Sequence, residues 1–245
     1  MGLKFSADHP SIVYIGPDFS MGKMPAIIYF AVSKEESLTF DPFSQPVQLL
    51  ENKLCRVISF TLPCHGEGFD KMRAIQDWAD QLKNNPNLFS DFIENCSNEI
   101  DALVEKGIID ADHIVTFGLS RGGYFATLLA AFNSKIKTIL AFAPITKFSH
   151  LHEFQNGFDY KFIELNNSYE KLLNKELRFY IGNRDERVGT ECCFEFIKEL
   201  TEKAYESGIR SPKVEMVISP STGMKGHGTA PHTFQDGISW LLSKL

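Results

Sequence analysis

A serine hydroxyl is a poor nucleophile at neutral pH unless a base stands within hydrogen-bond reach and a third group orients that base. This chain offers one serine in a setting suited to such activation. Gly118-Leu119-Ser120-Arg121-Gly122 reads G-x-S-x-G, between an apolar run at 113–117 and a helical pattern at 124–132. A strand that turns sharply into a helix with serine at the apex is a nucleophile elbow, and it lifts the hydroxyl above the sheet edge. Gly118 and Gly122 flank the serine because the strand and helix backbones meet there too closely for a Cβ. Five letters recur by chance, so the strand-to-helix setting carries the weight.

In sheets that carry this elbow, the partners follow in the order Ser, Asp or Glu, His. Asp185 stands just past an apolar run, in Gly182-Asn-Arg-Asp-Glu-Arg-Val188, and is the expected acid. Its neighbour Glu186 is the rival. His227, in Lys225-Gly-His-Gly-Thr229, is the expected base, since a glycine-flanked loop lets an imidazole reach across the sheet edge. His232 falls in the first turn of the final helix and is less well placed. His65 reads as a turn residue near the pocket rim, and His150 and His152 as surface residues rather than metal ligands. A tetrahedral intermediate needs two backbone N–H donors. Arg121, next to the nucleophile, is expected to give one; Val32 or Ser33, after an early strand, the other.

These residues need a frame. Apolar runs at 25–32, 56–61, 113–117, 136–143, 177–181 and 213–218 alternate with helical patterns near 70–84, 88–106, 124–132, 188–207 and 231–244, with a further short strand expected at 11–15. Such alternation predicts α/β architecture: a mostly parallel, doubly wound sheet with helices on both faces. Ligands bind such sheets outside the carboxyl ends of the strands, where Ser120 falls. A single domain over 1–245 is expected. The irregular stretch 145–175 reads as a small cap or lid inserted over the site. It is dense in aromatics, and Phe148, Phe154 and Phe158 are the expected lining of a substrate pocket, unless the rings only anchor the segment.

Composition narrows the function class. The net charge of −6, without a basic block, argues against nucleic acid as a partner. Five cysteines cannot form a complete disulfide set, and no C-x-x-C occurs, which points to reduced thiols and a cytoplasmic setting. No apolar run reaches membrane-spanning length, and no signal-peptide pattern opens the chain. Met1-Gly2-Leu-Lys-Phe-Ser6 fits the N-myristoylation pattern formally, and a chance match is the favoured reading.

The segment Ile109–Tyr124 resembles the nucleophile segment of α/β-hydrolases near the prolyl oligopeptidase and dienelactone hydrolase branches. Gly182–Val188 resembles their acid loop, Gly226-His-Gly228 their histidine loop, and Leu62-Pro-Cys-His-Gly66 their turn after the fourth strand. The likeness runs from about residue 24 to the C-terminus. It implies the α/β-hydrolase fold and a serine hydrolase of carboxylesterase type, acting on a small ester without metal or organic cofactor. Peptidase or amidase activity is the alternative, and a non-catalytic binding protein on the same fold is a second. Two features depart from the family pattern. Serine at the apex argues against dienelactone hydrolase itself, and the His-Gly that many such enzymes carry after the early strand is replaced by Phe30-Ala-Val-Ser33.

Overall fold

The computed structural model describes residues 2–245; Met1 of the myristoylation pattern lies outside them. Eight strands form one sheet: β1 (Lys4–Phe5), β2 (Ile12–Ile15), β3 (Met24–Phe30), β4 (Arg56–Phe60), β5 (Ile109–Leu119), β6 (Thr138–Phe142), β7 (Glu176–Gly182) and β8 (Val214–Ser219). Their order is β1-β2-β4-β3-β5-β6-β7-β8. The first two strands run antiparallel to their neighbours, and from β4 to β8 every pair is parallel. The order reverses around β3, whose neighbours are β4 on one side and β5 on the other. That reversal opens a crevice beyond the carboxyl ends of β3 and β5, the usual place for a ligand in an open parallel sheet.

Eight helices cover the sheet: α1 (Lys34–Thr39), α2 (Gln45–Gln48), α3 (Ala74–Leu82), α4 (Leu88–Glu105), α5 (Arg121–Phe132), α6 (Tyr169–Leu172), α7 (Thr190–Glu206) and α8 (Pro231–Leu242). Successive residues of a strand point to opposite faces, and both faces are buried. Ile28 and Phe30 join one apolar core, with Trp78 of α3, Phe89 of α4, Phe125 of α5 and Phe196 of α7. Ile27 and Tyr29 join the other, with Leu38 of α1, Val47 of α2 and Phe234 of α8. This explains why the parallel strands are legible as continuous apolar runs rather than alternating ones. The short pieces β1, α1 and α2 lie outside the sequence expectation, because two to six residues carry too little periodicity to register.

The stretch 145–175 is built from four 3-10 turns and α6, and here the expectation of an aromatic pocket lining is corrected. Phe148 and Phe154 are buried in the first core. The Phe148 ring meets Tyr124 edge-on at 4.8 Å and Phe154 at 4.9 Å. Tyr160 donates its hydroxyl to the Ala79 carbonyl at 2.8 Å, and Tyr124 reaches the Ile163 carbonyl at 2.8 Å. Glu164 accepts from the backbone N–H groups of Phe148 and Ser149 at 2.7 and 3.0 Å. The rings are therefore anchors that dock the segment on α3, α4 and α5. Phe158 is exposed and packs its ring near Tyr160, at 4.8 Å. From this segment Glu153 pairs with Arg187, two residues after Asp185, at 2.7 Å.

Candidate active site

Ser120 caps α5 with φ 55° and ψ −116°, a left-handed conformation that costs a non-glycine residue about 1–3 kcal/mol. The neighbouring backbone enforces it. Ser120 N–H donates to the Phe142 carbonyl of β6 at 2.7 Å, and the Ser120 carbonyl accepts from Gly123 at 2.9 Å and Ile145 at 3.3 Å. A Cβ on Gly122 would lie 1.9 Å from the Phe30 carbonyl oxygen, so only glycine lets the helix start this close to β3. Strain recurs along the same edge. Among the described residues, positive φ at non-glycine positions occurs at Asn52, Cys64, Ser120, Ala143 and Lys225; the last four follow β4, β5, β6 and β8.

The Ser120 hydroxyl lies 2.8 Å from His227 Nε2, and His227 Nδ1 lies 2.7 Å from Asp185 Oδ2. The Asp185 carboxyl is fully buried and its other oxygen accepts from the N–H groups of Arg187 and Val188 at 2.9 and 3.0 Å. An oxygen held as an acceptor leaves Nδ1 as the donor, so Nε2 is free to accept from the serine. The loops are laced together. Asp185 N–H donates to Thr190 Oγ1, which donates to the Gly182 carbonyl; Glu186 N–H donates to the Lys225 carbonyl, and Arg184 N–H to Ser221 Oγ. Gly226, with φ +72°, passes so near the Arg184 carbonyl that a Cβ would sit 2.0 Å from it.

The rivals fall away on geometry. Glu186 is exposed and pairs with Arg184 at 2.7 Å, facing solvent. His232 is exposed in the first turn of α8. His150 and His152 are exposed as well. Of the two expected second oxyanion donors, Val32 is corrected: its N–H is held by Ser37 Oγ at 3.0 Å. The Ser33 N–H has no hydrogen-bond partner among the described residues, while its hydroxyl caps α1 by accepting from Glu36 N–H at 3.3 Å. Arg121 N–H belongs to the first turn of α5, where no intrahelical acceptor exists.

His65 is more than a turn residue. It is buried, donates from Nδ1 to the Pro63 carbonyl at 2.7 Å, and accepts at Nε2 from Arg121 Nη1 at 2.8 Å. Burial, and then the Arg121 charge, pull its pKa down to about 4, so the ring is neutral at physiological pH. No sequence signal ties His65 to Arg121, which lies 56 residues away. A groove of about 640 Å³ opens beside this pair, lined by Ser33, Lys34, Thr61, His65, Phe69 and Lys71 among others.

A serine on a strained strand-to-helix turn, joined through histidine to a buried aspartate at the carboxyl edge of a parallel sheet, marks the α/β-hydrolase fold. Comparison agrees. The prolyl oligopeptidase family model matches residues 74–245, and the chain belongs to that family of hydrolases. A search of curated protein sequences found no match. Among solved structures, the chain is similar to a Klebsiella pneumoniae subsp. pneumoniae MGH 78578 protein assigned as a dienelactone hydrolase, with TM-score 0.64 and 16% identity over 95% of this chain and 90% of that one. It resembles the Pyrococcus furiosus esterase Pf2001, with TM-score 0.62 and 18% identity over 95% and 86% of the two chains. It also resembles Porphyromonas gingivalis dipeptidyl peptidase 4, with TM-score 0.61 and 17% identity over 96% of this chain but 33% of that one. No helix among the described residues is long and apolar enough to cross a membrane.

Proposed function

We propose that the protein is a serine hydrolase that cleaves small carboxylic esters through an acyl-enzyme on Ser120. The observation that carries this reading is the unbroken path from Ser120 through His227 to Asp185. Ser120 Oγ attacks the ester carbonyl as His227 Nε2 takes its proton. The N–H groups of Arg121 and Ser33 receive the developing oxyanion. His227 then passes the proton to the leaving alcohol, and Asp185 stabilises the imidazolium and fixes the tautomer. A water activated by the same histidine clears the acyl group. Small substrates fit because the segment 145–175 is docked on the helices by its rings and offers no aromatic lining for a long acyl chain. The five unpaired cysteines support a reducing, cytoplasmic setting.

Amide cleavage is the second reading, favoured by the family match, whose name is that of a peptidase. Against it, Glu36 and Glu153, two carboxylates that could hold a peptide amine, are already paired with Lys71 and Arg187. Labelling with a fluorophosphonate probe and turnover of 4-nitrophenyl esters against matched anilides test both readings. The expected result is labelling at Ser120, lost in Ser120→Ala, with fastest turnover of short acyl esters. A folded Ser120→Ala variant that still turns over esters would overturn the assignment, and anilides cleaved as fast as esters would favour the peptidase.

A further inference from the structure

A cavity of about 450 Å³ opens between α4, α5 and the docked segment, within the size range of small-molecule sites. None of Ser120, Asp185 and His227 lines it. Leu128 and Phe132, which do, stand about 12–18 Å along α5 from the nucleophile. The walls are largely apolar: Phe89 and Ile93 come from α4, Leu128 and Phe132 from α5, and Phe162 from the 3-10 turn Lys161–Ile163. Phe132 and Phe162 are 49% and 45% exposed, apolar surface that an occupant would take out of water.

Most polar groups of the wall are spent within the protein. Tyr124 donates to the Ile163 carbonyl at 2.8 Å, Ser90 to the Asn87 carbonyl at 2.9 Å and Asn167 to the Lys161 carbonyl at 2.7 Å. Glu164, the one acid in the lining, accepts from the Phe148 and Ser149 N–H groups through its two oxygens. Ser168 is different. It is only 8% exposed and stands at the N-cap of α6, yet its side chain caps nothing and its hydroxyl makes no hydrogen bond among the described residues. A nearly buried hydroxyl without a partner is costly to the fold. Lys171, three residues on, lines the same cavity and has no acidic partner among the described residues. Both groups donate hydrogen bonds, and one of them carries a positive charge.

We infer that this cavity binds a carboxylic acid with an apolar tail, of the medium-chain fatty-acid kind. Its carboxylate accepts from Ser168 Oγ and Lys171 Nζ, and its tail lies against the apolar side chains of α4 and α5. A neutral apolar molecule would leave both donors unanswered, and a cation would be repelled by Lys171. The inference does not rest on the hydrolase reading, since no triad residue takes part.

The test is calorimetric binding of octanoate and of 1-octanol, which share a tail and differ in the head, to wild type, Lys171→Met, Ser168→Ala and Phe162→Ser. Lys171 and Phe162 are exposed, so their variants are expected to fold, and a thermal melt checks it. Wild type is expected to bind one octanoate per chain, about tenfold more tightly than octanol. Lys171→Met and Ser168→Ala are each expected to weaken octanoate about 3- to 10-fold and to leave octanol within twofold. Phe162→Ser weakens both, by about 5- to 10-fold. Absence of binding, octanol bound as tightly as octanoate, or octanoate affinity that ignores Lys171→Met and Phe162→Ser would each overturn the inference. Phe162→Ser is also expected to turn over 4-nitrophenyl acetate like wild type; loss of octanoate and of turnover together would place the acid in the reaction site and overturn the separate cavity. A dimer in sedimentation velocity that Phe162→Ser dissolves would give the cavity to a second copy of the chain instead.

Discussion

The two sides of Ser120 are finished differently. Toward His227, each donor meets an acceptor: the serine hydroxyl, the imidazole, the Asp185 carboxyl and the two backbone N–H groups behind it form a closed series. Toward Arg121, the series stops at an open guanidinium edge, with His65 and Lys71 holding only one of its nitrogens. The closed side is what proton transfer requires, because a shifted tautomer or a rotated ring removes the base. The open side carries no such demand, because no proton passes through it.

The comparison breaks most severely at Asp185. Asp185→Asn keeps the shape but offers an amide where the acceptor stood, and favours the wrong imidazole tautomer; kcat is expected to fall about 10³- to 10⁴-fold, with KM little changed, by analogy with triads in general. Glu186→Gln is the control and should stay within twofold, since that carboxylate faces solvent beside Arg184. Steady-state kinetics on 4-nitrophenyl acetate read both.

Next comes the docked segment. Phe148→Ala removes a fully buried ring and is expected to cost about 3–5 kcal/mol in urea unfolding. The acyl-length profile of the folded fraction should stay put. A changed profile with unchanged stability would restore the pocket-lining role that the packing denies it.

Gly226→Ala sharpens the closed side. The new methyl meets the Arg184 carbonyl, in a backbone conformation that an L-residue adopts only with strain. A loss of about 1–3 kcal/mol is expected, together with a fall in kcat as His227 is displaced, read by urea unfolding and by steady-state kinetics on 4-nitrophenyl acetate.

The effect on catalysis is smallest for a pH slope in stability from His65. Its folded pKa is lowered to about 4 against an ordinary value of 6.5. As pH falls below 6.5 the unfolded chain binds a proton that the folded protein refuses, so stability drops through that window and levels off near 4. His65→Asn should flatten this part of the stability profile, measured by denaturant midpoints between pH 7 and 4.5.

The closed side was far more legible in the sequence than the open side, for a physical reason. Ser120, Asp185 and His227 sit in loops whose glycines and strand ends are fixed by backbone geometry, and backbone geometry writes itself into residue type. The strands were readable because both faces are buried. The rings at 148 and 154 were not, because a phenylalanine in an irregular stretch looks the same whether it lines a pocket or nails a segment to a helix. The loss of Val32 as a donor depended on where Ser37 Oγ points. The grip of His65 on Arg121 depended on two loops meeting across the sheet. Neither has a period or a spacing to betray it.

The positive-φ residues Cys64, Ser120, Ala143 and Lys225 give the carboxyl edge a further property. Cys64 and Ala143 are held there by the packing around them, Ser120 by its backbone bonds to Phe142, Gly123 and Ile145, and Lys225 by the bond its carbonyl accepts from Glu186, so the edge behaves like a drawn spring that the intact sheet keeps latched. Loosening the sheet anywhere lets the edge relax before the cores come apart. Heat should therefore silence this molecule at a lower temperature than it melts it, and the gap between the two temperatures measures the tension stored where the serine stands.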